Sequence, residues 1–302
     1  MSYIEKLNAL APTFEQVITE YQQSDKLQKR LAKYQLSVSH LNGYLNCPVS
    51  YYFDYLVRVP APLHPAMTYG SAVHHALEHY FRQMQATENF PEVEVMHKLF
   101  LDFIEKNKSA FDDLDAVMER GVNALNGYYA NGINVWNKIV SIERNIRGVD
   151  INGRKINGKL DKIEFDGYKC IAVDYKTGKF DPESPRFARP DFSKNFSLND
   201  KENFGGNYWR QGVFYKILVD NYQAKSWKVK NVRFEYVEPD EVTGMINIRK
   251  QLISEEEINF VKAQICEVFD CIVNSQFENG CEWEECFWCN YAKANPHLKF
   301  KK

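Results

Sequence analysis

The chain has 302 residues, of which 44% are hydrophobic, 14% aromatic and 26% charged, with a formal net charge of −2. That profile belongs to globular proteins with enough apolar mass for a sizeable core, and it excludes fibrous and disordered classes. No run approaches the roughly 18 apolar residues of a membrane span, and the polar N-terminus lacks a secretory apolar core. No membrane association is expected, the cytoplasm is the expected setting, and any nucleic-acid partner must be met by local basic patches.

The first third reads as helical. Phe14, Val17, Ile18 and Tyr21 fall at helical spacing, and Leu27, Leu31 and Tyr34 continue it after a polar break. Ser39 is placed to cap a short helix carrying Leu41, Tyr44 and Leu45 that stops at Cys47-Pro48. Gly70-Ser71 opens another, with Val73, Leu77, Tyr80, Phe81 and Met84 on its inner side. Two more helices are expected, one around Met96, Leu99, Phe100, Phe103 and Ile104 and one over about 114–135. Near Ile139 the pattern changes to β-prone runs broken by Asn152-Gly153 and Asp166-Gly167, dipeptides that supply the positive φ angles of tight hairpins. This predicts an antiparallel meander over about 140–151, 154–165 and 168–176. Residues 178–206 show no periodicity; five phenylalanines are scattered there among five basic and five acidic residues. A helix over 207–221 follows, then a strand with Val232, Phe234 and Tyr236 on one face, and a strand near 245–250. Ser254 and Glu257 then form a capping box for a long helix through Ile258, Val261, Ile265, Val268 and Ile272.

Chemistry concentrates at the end of the third strand. Side chains alternate along a strand, so Asp174 and Lys176 share one face, and the hairpin brings Asp161 beside Asp174. Two carboxylates at close range raise each other's cost of ionisation, and a divalent cation removes that cost. Such a site suits Mg2+ or Mn2+, with the lysine stabilising charge that builds on a phosphate. A solvated strand end with one ion pair is the plainer reading of an isolated D-x-K tripeptide. On the preceding helix, His74 and Glu78 are one turn apart, with His74 able to offer a ring nitrogen to a metal or to sit on the helix surface. Gln211 and Tyr215 are likewise one turn apart.

Taken in order, Leu36-Ser37-Val38-Ser39…Cys47-Pro48, Gly70-x-x-x-His74-x-x-x-Glu78, Gly158-x-x-Asp161, Asp174-x-Lys176-Thr177-Gly178 and Gln211-x-x-x-Tyr215 resemble the RecB-type branch of the PD-(D/E)xK nuclease superfamily. That branch includes the nuclease domains of RecB, AddA and AddB helicase-nucleases and CRISPR-associated exonucleases. The resemblance covers about residues 36–291 and implies an α/β, restriction-endonuclease-like core with a central mixed sheet flanked by helices. It divides the chain into a helical lead-in (1–35) and a nuclease domain (36–302) with a helical insertion at about 86–135. It implies a metal-dependent deoxyribonuclease, an exonuclease of recombination and repair, with DNA as substrate and a UvrD-type helicase as partner. By the same resemblance Asp161, Asp174 and His74 bind Mg2+ or Mn2+ and Lys176 is the catalytic lysine, while Gln211 and Tyr215 position the active site and DNA. By strand parity Glu164 points away from Asp161.

Several relatives of that branch hold an iron–sulfur cluster with one cysteine before the histidine motif and three near the C-terminus. Cys47, Cys281, Cys286 and Cys289 match the set, which implies a 4Fe-4S cluster. The last pair here, Cys286 and Cys289, ends the series where the commoner pattern has a further cysteine, and a zinc site or a purely structural role stays open. The loop at 178–206 also has two readings. In one its phenylalanines stack bases while Arg186, Arg189 and Lys194 meet phosphates; in the other the phenylalanines pack beneath a lid. No G-x-x-x-x-G-K-[ST] phosphate loop is present. The main alternatives to a nuclease are a non-catalytic DNA-binding or scaffolding module of a helicase complex, and an enzyme acting on another phosphorylated substrate.

Overall fold

A computed structural model describes residues 3–167 and 169–296. Tyr168, at the expected start of the third strand, and residues 297–302 of the expected nuclease domain lie outside the described residues.

The helices come first: α1 Tyr3–Gln23, α2 Lys26–Leu31, α3 Val38–Asn46, α4 Pro48–Tyr51, α5 Pro65–Thr87, α6 Val93–Lys106 and α7 Leu114–Gly132. Strands β1 Val140–Ile151, β2 Arg154–Asp166 and β3 Lys169–Lys176 form the expected meander. After it come α8 Asn207–Asp220, β4 Lys228–Tyr236, β5 Ile248–Gln251, α9 Glu255–Val273 and α10 Phe287–Ala294. The five strands lie in chain order, antiparallel except β3 against β4, which run parallel with α8 as the crossover. This is the mixed sheet flanked by helices that the sequence predicts. Among the described residues no helix is long and apolar enough to cross a membrane.

Two apolar layers sandwich the sheet. On one side Val140, Ile142, Val173 and Tyr175 pack with residues of α5, α6 and α7. On the other, Ile163, Cys170, Ala172 and Phe234 pack with α3, α8 and α9, and Phe14 of α1 joins them against Trp288 of α10, ring centroids 5.4 Å apart. At Asn152-Gly153 both residues have positive φ, 51° and 82°, as a two-residue hairpin of this type requires.

Three local expectations are corrected. The cap of α3 is Ser37, whose side chain accepts the His40 amide, and Ser39 lies inside the helix. Helix α5 starts at Pro65, five residues before Gly70, because proline's fixed φ suits a first helical position. Gly70 instead lets α5 approach β3: a Cβ there would lie 3.2 Å from Thr177 Oγ1. Finally, Cys47-Pro48 ends α3 but also starts α4, which runs on as a π-helical turn over Tyr52–Val57.

Arg210 ties α8 to its surroundings. It is 1% exposed and donates to Gln264 of α9, Asn42 of α3, Asn207, and the carbonyls of Phe204 and Gly205. These partners are all neutral, and burial draws its guanidinium below its ordinary pKa. Arg210→Met strands those buried acceptors and should cost about 3 kcal/mol. That corresponds to a fall of about 5 °C in the unfolding midpoint by circular dichroism for a chain of this length.

Candidate active site and cysteine cage

The helix α5 and the first two strands bring three ligand groups to one place. His74, Glu143 and Asp161 each offer an atom within 4.8 Å of the others. His74 Nδ1 lies 3.2 Å from Asp161 Oδ1, and Nε2 lies 3.1 Å from the Tyr175 carbonyl oxygen. Asp161 Oδ2 accepts the Tyr175 amide at 2.9 Å. The β2–β3 ladder pairs Lys162 with Val173, so its next step carries Asp161 toward Asp174. There the carboxylate bonds to the backbone of β3. Burial opposes a charge on His74, but Asp161 outweighs it and raises the imidazole pKa. Burial likewise pushes Asp161 up, yet His74 and the Tyr175 amide hold it below the usual carboxylate range.

A second group sits on the same strand. Asp174 Oδ1 accepts from Gln211 Nε2 at 2.8 Å and from the Tyr215 hydroxyl at 3.0 Å, and Oδ2 meets Lys176 Nζ at 2.6 Å. Lys176 Nζ also donates to Gln211 Oε1 at 2.9 Å and lies 4.0 Å from the centre of the Tyr208 ring. Burial raises Asp174 above its usual range and the nearby Asp161 adds to this, against the pull of Lys176. The six residues singled out in the sequence thus fall into two linked sets: His74 with Asp161, and Asp174, Lys176, Gln211 and Tyr215. Asp174 lies outside the group of three whose ligand atoms converge.

Glu143 is the member that sequence reasoning missed. It has φ of 48°, in the left-handed region that glutamate rarely enters. The β1–β2 register passes from Ile142–Lys162 to Arg144–Leu160, which sets Glu143 at the step facing Asp161. Lys159 pairs with its carboxylate. The register shifts only at the bulge between Ile146 and Val149, by one residue from the pairing at the Asn152-Gly153 turn, and residue type does not announce that shift. Glu164, by contrast, pairs with Lys162 and Arg233 at 2.9 and 2.7 Å, away from His74 and Asp161.

The loop between β3 and α8 turns its phenylalanines inward. Phe187 packs on Phe234 and Tyr208, while Phe192 and Phe196 pack on Phe260. Arg189 pairs with Glu257 and Lys194 with Asp200, leaving Arg186 as the one of the three that lines the cavity beside Lys176. A row of base-stacking phenylalanines is therefore not what the loop presents.

Far along the chain, α4 and the region leading into α10 bring Cys47, Cys281, Cys286 and Cys289 together, again within 4.8 Å. Sγ–Sγ distances are 3.5 Å for Cys47–Cys289, 3.9 Å for Cys281–Cys289 and 4.0 Å for Cys47–Cys286, and all four thiols are free. Burial pushes Cys286 up, but hydrogen bonds with Ser50 and the neighbouring cysteines bring it down to about 7.

A family model described as the PD-(D/E)XK nuclease superfamily matches residues 35–294. The chain belongs to the PD-(D/E)XK nuclease superfamily. Membership makes it a restriction-endonuclease-like protein whose family chemistry is metal-dependent nuclease hydrolysis. No curated protein matches it. Among solved structures, one described as "Crystal structure of SSO0001" is 14% identical over 93% of this chain and 98% of that chain, with a TM-score of 0.34.

The two donor sets differ in the chemistry they suit. An imidazole and two carboxylates suit a divalent cation that favours nitrogen and oxygen ligands. Four thiolates suit zinc or iron–sulfur chemistry.

Proposed function

We propose that this PD-(D/E)XK protein is a Mg2+- or Mn2+-dependent deoxyribonuclease, with His74, Glu143 and Asp161 holding the cation and Lys176 acting on the scissile phosphate. The observation that carries the reading is the convergence of His74, Glu143 and Asp161 beside the ion pair of the half-buried Lys176 with the buried Asp174. A bound cation would supply Lewis-acid polarisation of the phosphate under attack. The chain's own groups do the rest. Asp174 fixes Lys176, and Gln211 spans the two, donating to Asp174 and accepting from Lys176. Tyr215 closes the ring through its hydroxyl on Asp174. The ammonium of Lys176, held in a partly desolvated place, offsets negative charge as it grows on the phosphate, where low polarity makes each charge count for more. Digestion from an end, and service in repair beside a UvrD-type motor, are what the likeness to RecB-type domains adds to this reading.

The test is cleavage of end-labelled DNA in Mg2+ or Mn2+ by the wild-type protein, Asp174→Ala and Lys176→Ala. Each variant should lose about a hundredfold or more in rate. A wild-type protein that binds DNA but cuts none with either metal would support the scaffolding alternative.

For the cysteine cage there are two occupants with a basis. Likeness to RecB-type nucleases implies a 4Fe-4S cluster, which we take as the first reading. The sulfur spacing favours the second, a single zinc ion. Four sulfurs about 2.3 Å from one ion lie some 3.8 Å apart, close to the observed 3.5–4.0 Å, whereas a cubane spreads its thiolates to roughly 6 Å.

A further inference from the structure

Two cavities meet at His74. One, of about 510 Å3, carries Glu78, Glu143 and Asp161 with Lys159, and it is the acidic side. The other, of about 540 Å3, is lined by Lys176, Arg120, Arg186, Tyr208, Tyr69 and Thr177 among others, and no carboxylate of the described residues lines it. Both share Met67, Gly70 and His74, so they form one groove with an acidic and a basic limb.

The basic limb is built rather than incidental. Arg120 of α7 makes a two-armed ion pair with Glu238 and lies over the Tyr69 ring, 4.5 Å from its centre, so its planar fork is held in place. On the opposite wall, Arg186 donates to the Tyr208 hydroxyl at 2.8 Å and lies 5.2 Å from that ring's centre. Its backbone is fixed by Gly206, where any Cβ would collide with the Arg186 and Pro185 main chain, and by the Gly206 amide bond to Ala188 at 2.8 Å. Glu238 partly offsets the charge of Arg120. Arg186, whose hydrogen-bond partner among the described residues is a neutral hydroxyl, keeps its full charge for a ligand.

We propose that Arg186 and Arg120 are a phosphate clamp that grips one nucleic-acid strand on the far side of Lys176, making the site selective for single-stranded over duplex DNA. The inference rests on the nuclease reading for the position of the scissile phosphate. The clamp's cations come from α7 and from the loop before α8, elements that pack on opposite faces of the sheet. A duplex would bring a second backbone, across a major groove about 12 Å wide, against the same walls, whereas a single strand brings one.

The experiment is salt-dependent binding of a fluorescent single-stranded 20-mer and its duplex in Ca2+. It compares the wild-type protein with Arg186→Gln, Arg120→Gln and, as a matched loss of charge in the same loop, Arg189→Gln. Thermal melts establish folding of each variant. Arg186→Gln should weaken single-strand binding about five- to tenfold and lower the log–log salt slope by about 0.7. Arg120→Gln should do so to a smaller degree, Arg189→Gln should leave the slope in place, and the duplex should bind more weakly than the single strand. An unchanged slope in Arg186→Gln, an equal loss in Arg189→Gln, or equal binding of duplex would overturn the clamp. Cleavage by the wild-type protein in Mn2+ is scored separately. Cutting with no effect of Arg186 defeats the clamp alone, whereas a clamp effect without cutting defeats the nuclease reading.

Discussion

Asp161→Asn is expected to reduce DNA cleavage by roughly a hundred- to a thousandfold while the protein stays folded. The amide keeps the size of the carboxylate and one oxygen to accept the Tyr175 amide, so the junction of β2 and β3 persists. What it loses is the charge that faces His74 Nδ1 at 3.2 Å and would help to neutralise a divalent cation. Affinity for Mn2+, followed by calorimetry in the absence of DNA, should fall in parallel, because second and third ligands alone bind weakly. Glu143→Gln should weaken the metal less. Glu164→Gln supplies the contrast, since it disturbs the Lys162 and Arg233 ion pairs and should lower stability without touching metal affinity. Equal metal binding by wild type and Asp161→Asn would remove Asp161 from the ligand set.

The second large effect is expected at the cysteine cage. Cys289→Ser, or stripping the metal with a strong chelator, removes the link that joins Cys47 at the start of α4 to the segment leading into α10. Metal bound at such a site contributes directly to folding. A loss of about 3 kcal/mol or more corresponds to a midpoint lowered by about 5 °C or more. Metal analysis of freshly purified protein identifies the occupant. Iron with acid-labile sulfide and visible absorbance marks a cluster, one equivalent of zinc without colour marks a single ion, and a metal-free protein that melts like Cys289→Ser would sink both.

How much of this was readable beforehand depends on the kind of signal. The hairpins were legible because Asn-Gly and Asp-Gly report backbone geometry directly, and the meander follows from them within a residue or so. The pairing of Asp174 with Gln211 and Tyr215 was also within reach, since a strand end and one helical turn constrain where those groups can point. Glu143 was not, because a bulge between Ile146 and Val149 shifts the hairpin register by one residue, and only that shift sets Glu143 opposite Asp161. Nor was the start of α5: Gly70-Ser71 looked like a helix opening, and Pro65, a stronger signal, lay one turn upstream. Arg186 and Arg189 read alike in sequence. Only the fold separates them, by giving Arg189 a buried glutamate and leaving Arg186 facing the groove.

Behind the catalytic strand, Lys162 and Glu164 of β2 meet Arg233 and Glu235 of β4, with Tyr128 donating to Glu235 at 2.6 Å, all nearly or largely withdrawn from water. Shifting β2 by a single residue would turn each of its side chains to the opposite face. Lys162 and Glu164 would then leave Glu235 and Arg233 without their partners beside an apolar layer, and Asp161 would be carried away from His74. The charges therefore act as a key cut for one alignment of the strands, rejecting misaligned pairings during assembly. The spacing of the groups that would handle DNA is set by a lock that itself never touches it.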